Sequence, residues 1–291
     1  MSSSNINWYP GHMFKTKREL KEAVNMVDVA VEVLDARIPL SSRNYDLVEI
    51  IDRKSRINRI IVLNKVDLAD PDETDRWINK LTDEKTKVIK MDSSRGKGIK
   101  ELKEAIKSFK GNKISTVRTL IMGIPNVGKS TLINSLNGKK SLEAKNKPGV
   151  TKALRWLRVD NDISVLDTPG MLWPKFEDEN IGYMLATTGA IKDEIFDSLE
   201  VAYQYIKKLD SYENKKDINK LLEKYGVTKE EFENLKDDFN PYYSLILLIA
   251  EKKKMLIRGG EPDEYRCSKA LLTDYRAGRT GRITLEKAND R

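Results

Sequence analysis

At 291 residues, 39% apolar and 34% charged, the chain is long enough for one large or two ordinary domains, each with its own core, and its composition argues against wholesale disorder. One cysteine, Cys267, excludes an internal disulfide or a cysteine metal cage, which points to the cytoplasm and to a packing role for that thiol. The formal net charge of +8 suggests an acidic partner, yet no membrane role is expected: the longest apolar run, Leu245–Ala250, is too short to span a bilayer, and Met1–Pro10 lacks the apolar core of a signal peptide.

In chain order, the aromatic pair Trp8-Tyr9 and a Pro10-Gly11 turn lead into helical spacing from about Phe14 to Met26. Val27 to Leu34 is a nearly continuous apolar run ending in Asp35-Ala36-Arg37, the mark of a strand covered on both faces in a parallel sheet. A loop over residues 38–44 and a helix over 45–53 precede a second buried strand, Arg59 to Leu63. That strand ends in Asn64-Lys65-Val66-Asp67. N-K-x-D at a strand end suits guanine: the Asp67 carboxylate accepts hydrogen bonds from the N1–H and exocyclic amine, Lys65 packs over the ring and Asn64 braces the loop, whereas adenine offers no such donor pair. The plainer alternative is a strand-to-helix turn with Asp67 as helix cap.

A helix over 72–81 follows, then a strand, Lys87 to Met91, ending in Asp92-Ser93-Ser94-Arg95-Gly96. A short serine loop at the carboxyl end of a strand suits a backbone contact from Ser93 and Ser94 to the base, since ligands of open α/β sheets bind at that edge. After a helix over 98–109 and a polar linker, Val117 to Met122 reads as the strand that delivers Gly123-Ile124-Pro125-Asn126-Val127-Gly128-Lys129-Ser130, followed by the helix Lys129–Leu136. G-x-x-x-x-G-K-[ST] between a strand and a helix is a phosphate-binding loop, in which backbone N–H groups and the helix dipole face an anion. Residues Asn126 to Thr131 form the phosphate-binding set, with Lys129 reaching the β- and γ-phosphates and Ser130 holding Mg²⁺.

Between residues 139 and 158 the cations Lys139, Lys140, Lys145, Lys147, Lys152, Arg155 and Arg158 outweigh Glu143, and this clustering favours nucleic acid over a merely solvated surface. Pro148-Gly149-Val150-Thr151 within it lies where a mobile switch would, and Thr151 could give its hydroxyl to Mg²⁺ and its N–H to the γ-phosphate. An alternating edge strand, Leu154 to Val159, and a strand over 163–166 lead to Asp167-Thr168-Pro169-Gly170. This D-x-x-G supplies Asp167 to the Mg²⁺ shell and the Gly170 N–H to the γ-phosphate. Beyond Met171 the spacing is helical throughout, around 180–188, 198–209, 218–225, 229–235, 242–257 and 263–277. The expected organisation is thus an α/β P-loop GTPase domain over residues 1–175, a mostly parallel sheet flanked by helices, and an all-helical domain over 176–291.

The order of the motifs is unusual. The base-reading segments Asn64–Asp67 and Ser93-Ser94 precede the phosphate loop, and the chain breaks after D-x-x-G: a circular permutation, which keeps strand neighbours while moving the termini between surface loops. Taken with Trp8-Tyr9-Pro10-Gly11-His12-Met13, Asp35-Ala36-Arg37-Ile38-Pro39 and Asp167-Thr168-Pro169-Gly170-Met171-Leu172-Trp173-Pro174-Lys175, it resembles the YlqF-type circularly permuted GTPases, the bacterial ribosome biogenesis GTPase A family. The resemblance covers essentially the full length, most specifically in the GTPase half. It implies a GTPase that binds the immature large ribosomal subunit and promotes its late assembly, cycling between GTP and GDP as a switch, with the helical domain on ribosomal RNA. It also implies a monomer.

Hydrolysis requires a positioned water, and the residue after D-x-x-G, a glutamine in Ras-like enzymes, is Met171 here. The resemblance points to His12, the only histidine, although a histidine there could equally cap the following helix. Asn126 is similar to the phosphate-loop asparagine of potassium-activated GTPases, which suggests K⁺ as activator beside Mg²⁺.

Overall fold

The computed structural model describes residues 18–54, 56–111, 115–138, 154–172 and 178–289. His12, Thr151, Lys139 to Lys152 of the basic segment, and Trp173 to Lys175 lie outside the described residues.

The chain divides into two compact units, one of Met1–Glu177 with Glu286–Arg291 and one of Asp178–Leu285. The first is built on strands β1 (Val29–Asp35), β2 (Asn58–Asn64), β3 (Thr86–Met91), β4 (Val117–Met122), β5 (Arg155–Arg158) and β6 (Ile163–Asp167), with helices α1 (Tyr45–Asp52), α2 (Pro71–Leu81), α3 (Ile99–Lys107) and α4 (Lys129–Leu136). The six-stranded sheet has the order β3-β2-β1-β4-β6-β5, and all pairs are parallel except β5 against β6. Every residue of β1 is buried, as a central strand covered on both faces requires, whereas β5 is an exposed edge.

Side chains alternate across the sheet. Ala30, Leu120, Met122 and Leu166 meet Leu20, Ala23, Val24 and the α1 residues Leu47, Ile50 and Ile51 in one apolar cluster. Leu34, Ile61, Leu63 and Val88 meet Trp77 of α2 in a second. Helices α3 and α4 pack against each other and against strands of the sheet, burying Leu102, Ile106, Leu132, Ile133 and Leu136. Short connections cap locally: Asn44 caps α1 through the Leu47 N–H, and Asp70 caps α2 through those of Asp72 and Glu73, with Pro71 in the first turn.

The second unit comprises α5 (Glu179–Thr187), α6 (Ser198–Asp210), α7 (Lys216–Tyr225), α8 (Lys229–Leu235), α9 (Pro241–Lys252) and α10 (Glu264–Arg276). Tyr205 of α6 and Tyr275 of α10 pack with ring centroids 5.0 Å apart, and the Arg276 guanidinium donates to the Ala186 and Thr187 carbonyls at the end of α5. Cys267 is buried in this core, donates to the Ile246 carbonyl and has its pKa pushed up by burial to about 12, so packing is its role. Helix α9 stops at Lys252 instead of running to residue 257; the following residues form a turn closed by a bridge between Leu256 and Pro262. Among the described residues no helix is long and apolar enough to cross a membrane.

Candidate functional site

The register brings the motifs to one edge. Asp35 at the end of β1 pairs with Asn64 at the end of β2, Asn64 with Met91 of β3, and Glu32 with Met122, just before the phosphate loop. On the far side of β4, Ile121 pairs with Asp167. Segments more than a hundred residues apart in the chain therefore open at the carboxyl edge of one parallel sheet, where ligands of this architecture bind.

Gly123–Ser130 leaves β4 as a tight loop that ends at α4. Gly128 adopts a left-handed φ of 98° at the helix entry, and a Cβ there would collide with the Asn64 side-chain amide. Asn126 also has positive φ, 59°, a conformation that costs a non-glycine residue energy and recurs at ligand-binding loops. Lys129 lies buried at the start of α4, its Nζ donating to the Ile124 carbonyl at 2.8 Å. Burial pushes its pKa down to about 8, with the Asp167 carboxylate opposing the shift. Ser130 and Thr131 are half-buried in the first turn of the same helix.

Asn64 joins the two halves of the site. Its Nδ2 donates to the Val127 carbonyl inside the phosphate loop at 2.7 Å, while its Oδ1 accepts from the Ser93 N–H at 3.1 Å and the Ser93 hydroxyl at 2.5 Å. Ser135 of α4 in turn donates to the Ser93 carbonyl at 2.8 Å. Ser94 bonds Asp92 at 2.6 Å, so the two serines differ: one is tied to the phosphate side and the other holds its own turn. Asp67 sits half-buried in the turn after β2, and the cap of α2 is Asp70, which leaves the Asp67 carboxylate without that helix-capping task.

Lys65, with a positive φ of 62°, donates from Nζ to Asp35 Oδ2 at 2.9 Å. The same carboxylate receives the buried Arg37 side chain at 2.9 and 2.7 Å and the Arg37 N–H at 3.1 Å. Burial alone would raise the Asp35 pKa, but the Arg37 guanidinium and Lys65 ammonium override it and hold the carboxyl well below the usual range. Burial also lowers the Lys65 pKa, with Asp35 opposing. Motif spacing contains no sign of this network. Asp35 and Arg37 stand in the sequence only as part of a resemblance, and their contact with Lys65 depends on the β1–β2 register.

On the other flank, Gly170 lies flat on the phosphate loop, where a Cβ would come within 2.6 Å of the Pro125 Cα. The Thr168 hydroxyl bonds the Ile121 carbonyl at 2.9 Å, and Asn44 donates to the Met171 carbonyl at 2.8 Å. The Met171 side chain is buried among Leu47, Ile50, Leu120 and Leu166, facing the core and not a nucleotide. Asp167 is buried at the end of β6. A hydroxyl from Ser130 and a carboxylate from Asp167 form a hard oxygen donor set of the kind that holds Mg²⁺ together with phosphate oxygens. Among the described residues no group of three or more His, Cys, Asp or Glu could hold a metal ion.

A parallel sheet with a phosphate loop, a D-x-x-G segment packed on it and an N-K-x-D loop tied to it, in permuted order, defines a circularly permuted P-loop GTPase. A family model described as "50S ribosome-binding GTPase" matches residues 118–235, beginning at the strand that carries the phosphate loop and leaving Asn64–Asp67 upstream of it. The chain is 38% identical to ribosome biogenesis GTPase A of Priestia megaterium over 98% of both proteins. Of solved structures, a GDP-bound YlqF matches with a TM-score of 0.67 at 27% identity, covering 94% of this chain and all of that one. A GNP-bound YlqF from T. maritima matches at 0.63 and 28%, covering 95% of this chain and all of that one. The chain belongs to the ribosome biogenesis GTPase A family.

Proposed function

We propose that the protein binds the immature large ribosomal subunit and promotes its late assembly, with GTP hydrolysis to GDP and phosphate as its conformational switch. The observation that carries the nucleotide-binding part of this reading is the single side chain of Asn64, which ties the base-reading loop to the phosphate loop, so that guanine and phosphates are read by one connected frame. In this reading Asp67 accepts the guanine N1–H and amine, Lys65 lies over the ring, and Ser93 and Ser94 present backbone to the base. Asn126, Val127, Gly128, Lys129, Ser130 and Thr131 surround the phosphates. Ser130, Thr151 and Asp167 would hold Mg²⁺, which would neutralise charge on the phosphates.

Catalysis then rests on this chain's own groups. Lys129 exchanges its contact with the Ile124 carbonyl for the β- and γ-phosphates, and the Gly170 N–H, already packed on the phosphate loop, meets the γ-phosphate. Met171 is committed to the core, and the family resemblance, not the geometry, assigns the positioning of the attacking water to His12. Asn126, by its likeness to the phosphate-loop asparagine of potassium-activated GTPases, would help hold K⁺, which would add positive charge at the phosphates. Ribosomal RNA is bound by the helical domain and the basic segment. Two surface features support this: Arg155 and Arg158 are exposed beside the exposed Trp156, and the turn after α9 presents Lys253, Lys254 and Arg258 around exposed Leu256 and Ile257.

The test is GTP turnover in KCl, with and without purified large-subunit precursors. Slow turnover alone and a large acceleration by precursors are expected, with lower rates in NaCl. His12→Ala should lose the acceleration while keeping nucleotide affinity; fast turnover indifferent to precursors would instead indicate a stand-alone enzyme.

A further inference from the structure

The last described residues of the chain do not belong with the helices that precede them. From Glu286 onward the chain groups with the GTPase unit, on the side that reads the base. Glu286 is 7% exposed, and its carboxylate receives the Leu40 N–H at 2.7 Å, the Ser41 N–H at 3.0 Å and the Ser41 hydroxyl. Its carbonyl accepts Trp77 Nε1 at 2.8 Å. Ala288 is held at both ends: its N–H donates to Glu73 at 3.1 Å and its carbonyl accepts Lys80 at 2.6 Å. Its methyl is buried in the cluster that contains Leu34, Ala36 and Leu63, the residues flanking Asp35 and Asn64, with half-buried Val66 against it.

The loop that Glu286 grips is the one that supports Asp35. Ser42, next to Ser41, accepts the Asp35 N–H on its hydroxyl at 3.0 Å and donates that hydroxyl to the Pro39 carbonyl at 3.2 Å. Turn bonds from Ile38 to Asp35 and from Ser42 to Ile38 close the same loop. Asp35, with Arg37 beside it, holds the Lys65 ammonium. The path runs from the buried Glu286 carboxylate to the Leu40 and Ser41 N–H groups, along the chain to Ser42, whose hydroxyl accepts the Asp35 N–H, and through the Asp35 side chain to the Lys65 ammonium; hydrogen bonds between buried or half-buried groups alternate with covalent links of the loop. Charge-assisted bonds of this kind are stronger than neutral ones and hold geometry well.

We infer that Glu286–Ala288 is a strap that positions the guanine-reading lysine, so that Glu286 is a positioning residue of the nucleotide site. The inference rests on the assignment of Asn64–Asp67 as the base-reading loop. The strap follows Leu285 of the helical unit directly in the chain, so the unit proposed to bind RNA is covalently continuous with the support of the base site.

The test is a double-mutant cycle on the full chain, reading the Kd of a fluorescent GDP for wild type, Glu286→Gln, Lys65→Ala and the pair. Binding stoichiometry separates a loss of folded protein, which lowers the number of sites, from a loosened site, which raises Kd. Glu286→Gln is expected to raise Kd about fivefold in the wild-type background and to change it little once Lys65 is gone, because the strap acts through that lysine. Ser41→Ala, which deletes one donor to the carboxylate, should follow the same pattern more weakly and serves where Glu286→Gln yields few sites. A Kd unchanged by both strap substitutions, or raised equally with and without Lys65, overturns the strap while leaving the base site intact. If Lys65→Ala itself leaves GDP affinity unchanged, the base-site assignment fails, and the strap falls with it.

Discussion

Asn64 spans both halves of the site, accepting two hydrogen bonds on Oδ1 and donating one from Nδ2, so its loss affects more than the base. Asn64→Ala should raise the Kd of GDP and GTP alike by about tenfold, measured by equilibrium titration, because a buried carbonyl in the phosphate loop and the Ser93 turn lose their partner together. Lys129 gives the site a pH signature. Without nucleotide its pKa is about 8, lowered by burial; phosphates favour the charged ammonium and raise it. Below that pH the lysine is charged in both states and contributes no pH dependence. As pH rises through about 8, binding must take up a proton, so GDP affinity should fall by up to about tenfold per unit, with proton uptake visible by calorimetry in buffers of different ionisation heat. At this scale the structure brings Asn64, Lys129, Ser130 and Asp167, which the motif spacings singled out, to one sheet edge, since a motif encodes a local turn. The Asp35–Arg37–Lys65 network and Glu286 were not legible, because such contacts depend on which strand lies beside which and where the chain returns.

Among elements, continuous apolar runs announced β1, β2 and β4, and the helices of the first unit fall close to their expected spans. The clearest departure is the end of α9. Lys254 takes a left-handed φ of 54°, with the Met255 N–H bonded to the Ala250 carbonyl and the Lys254 N–H to that of Glu251. This is a Schellman stop made by lysine where glycine is usual, so the sequence carried no stop signal before residue 257. The segment after D-x-x-G behaves as an element too. With Asn44 on its carbonyl and its side chain in the core, Met171 anchors the D-x-x-G segment against α1. Met171→Gln should therefore fail to create a Ras-like water-positioning residue: thermal unfolding should show a loss of about 1–3 kcal/mol for the buried amide, and single-turnover assays no faster hydrolysis.

In the whole molecule, the permutation places the break in the chain after D-x-x-G, and the helical unit occupies the interval between that segment and the Glu286 strap. The D-x-x-G segment and the proposed strap thus stand at the two ends of the helical unit's sequence. That arrangement makes a nucleotide-dependent effect on the helical unit the expected behaviour of this topology, provided that a partner binds one state better. The most direct measurement is co-sedimentation of the full chain with large-subunit precursors in the presence of a non-hydrolysable GTP analogue or of GDP. Binding at least about fivefold tighter with the analogue is predicted, the lower end of ordinary allosteric coupling; equal binding in the two nucleotide states would contradict the switch.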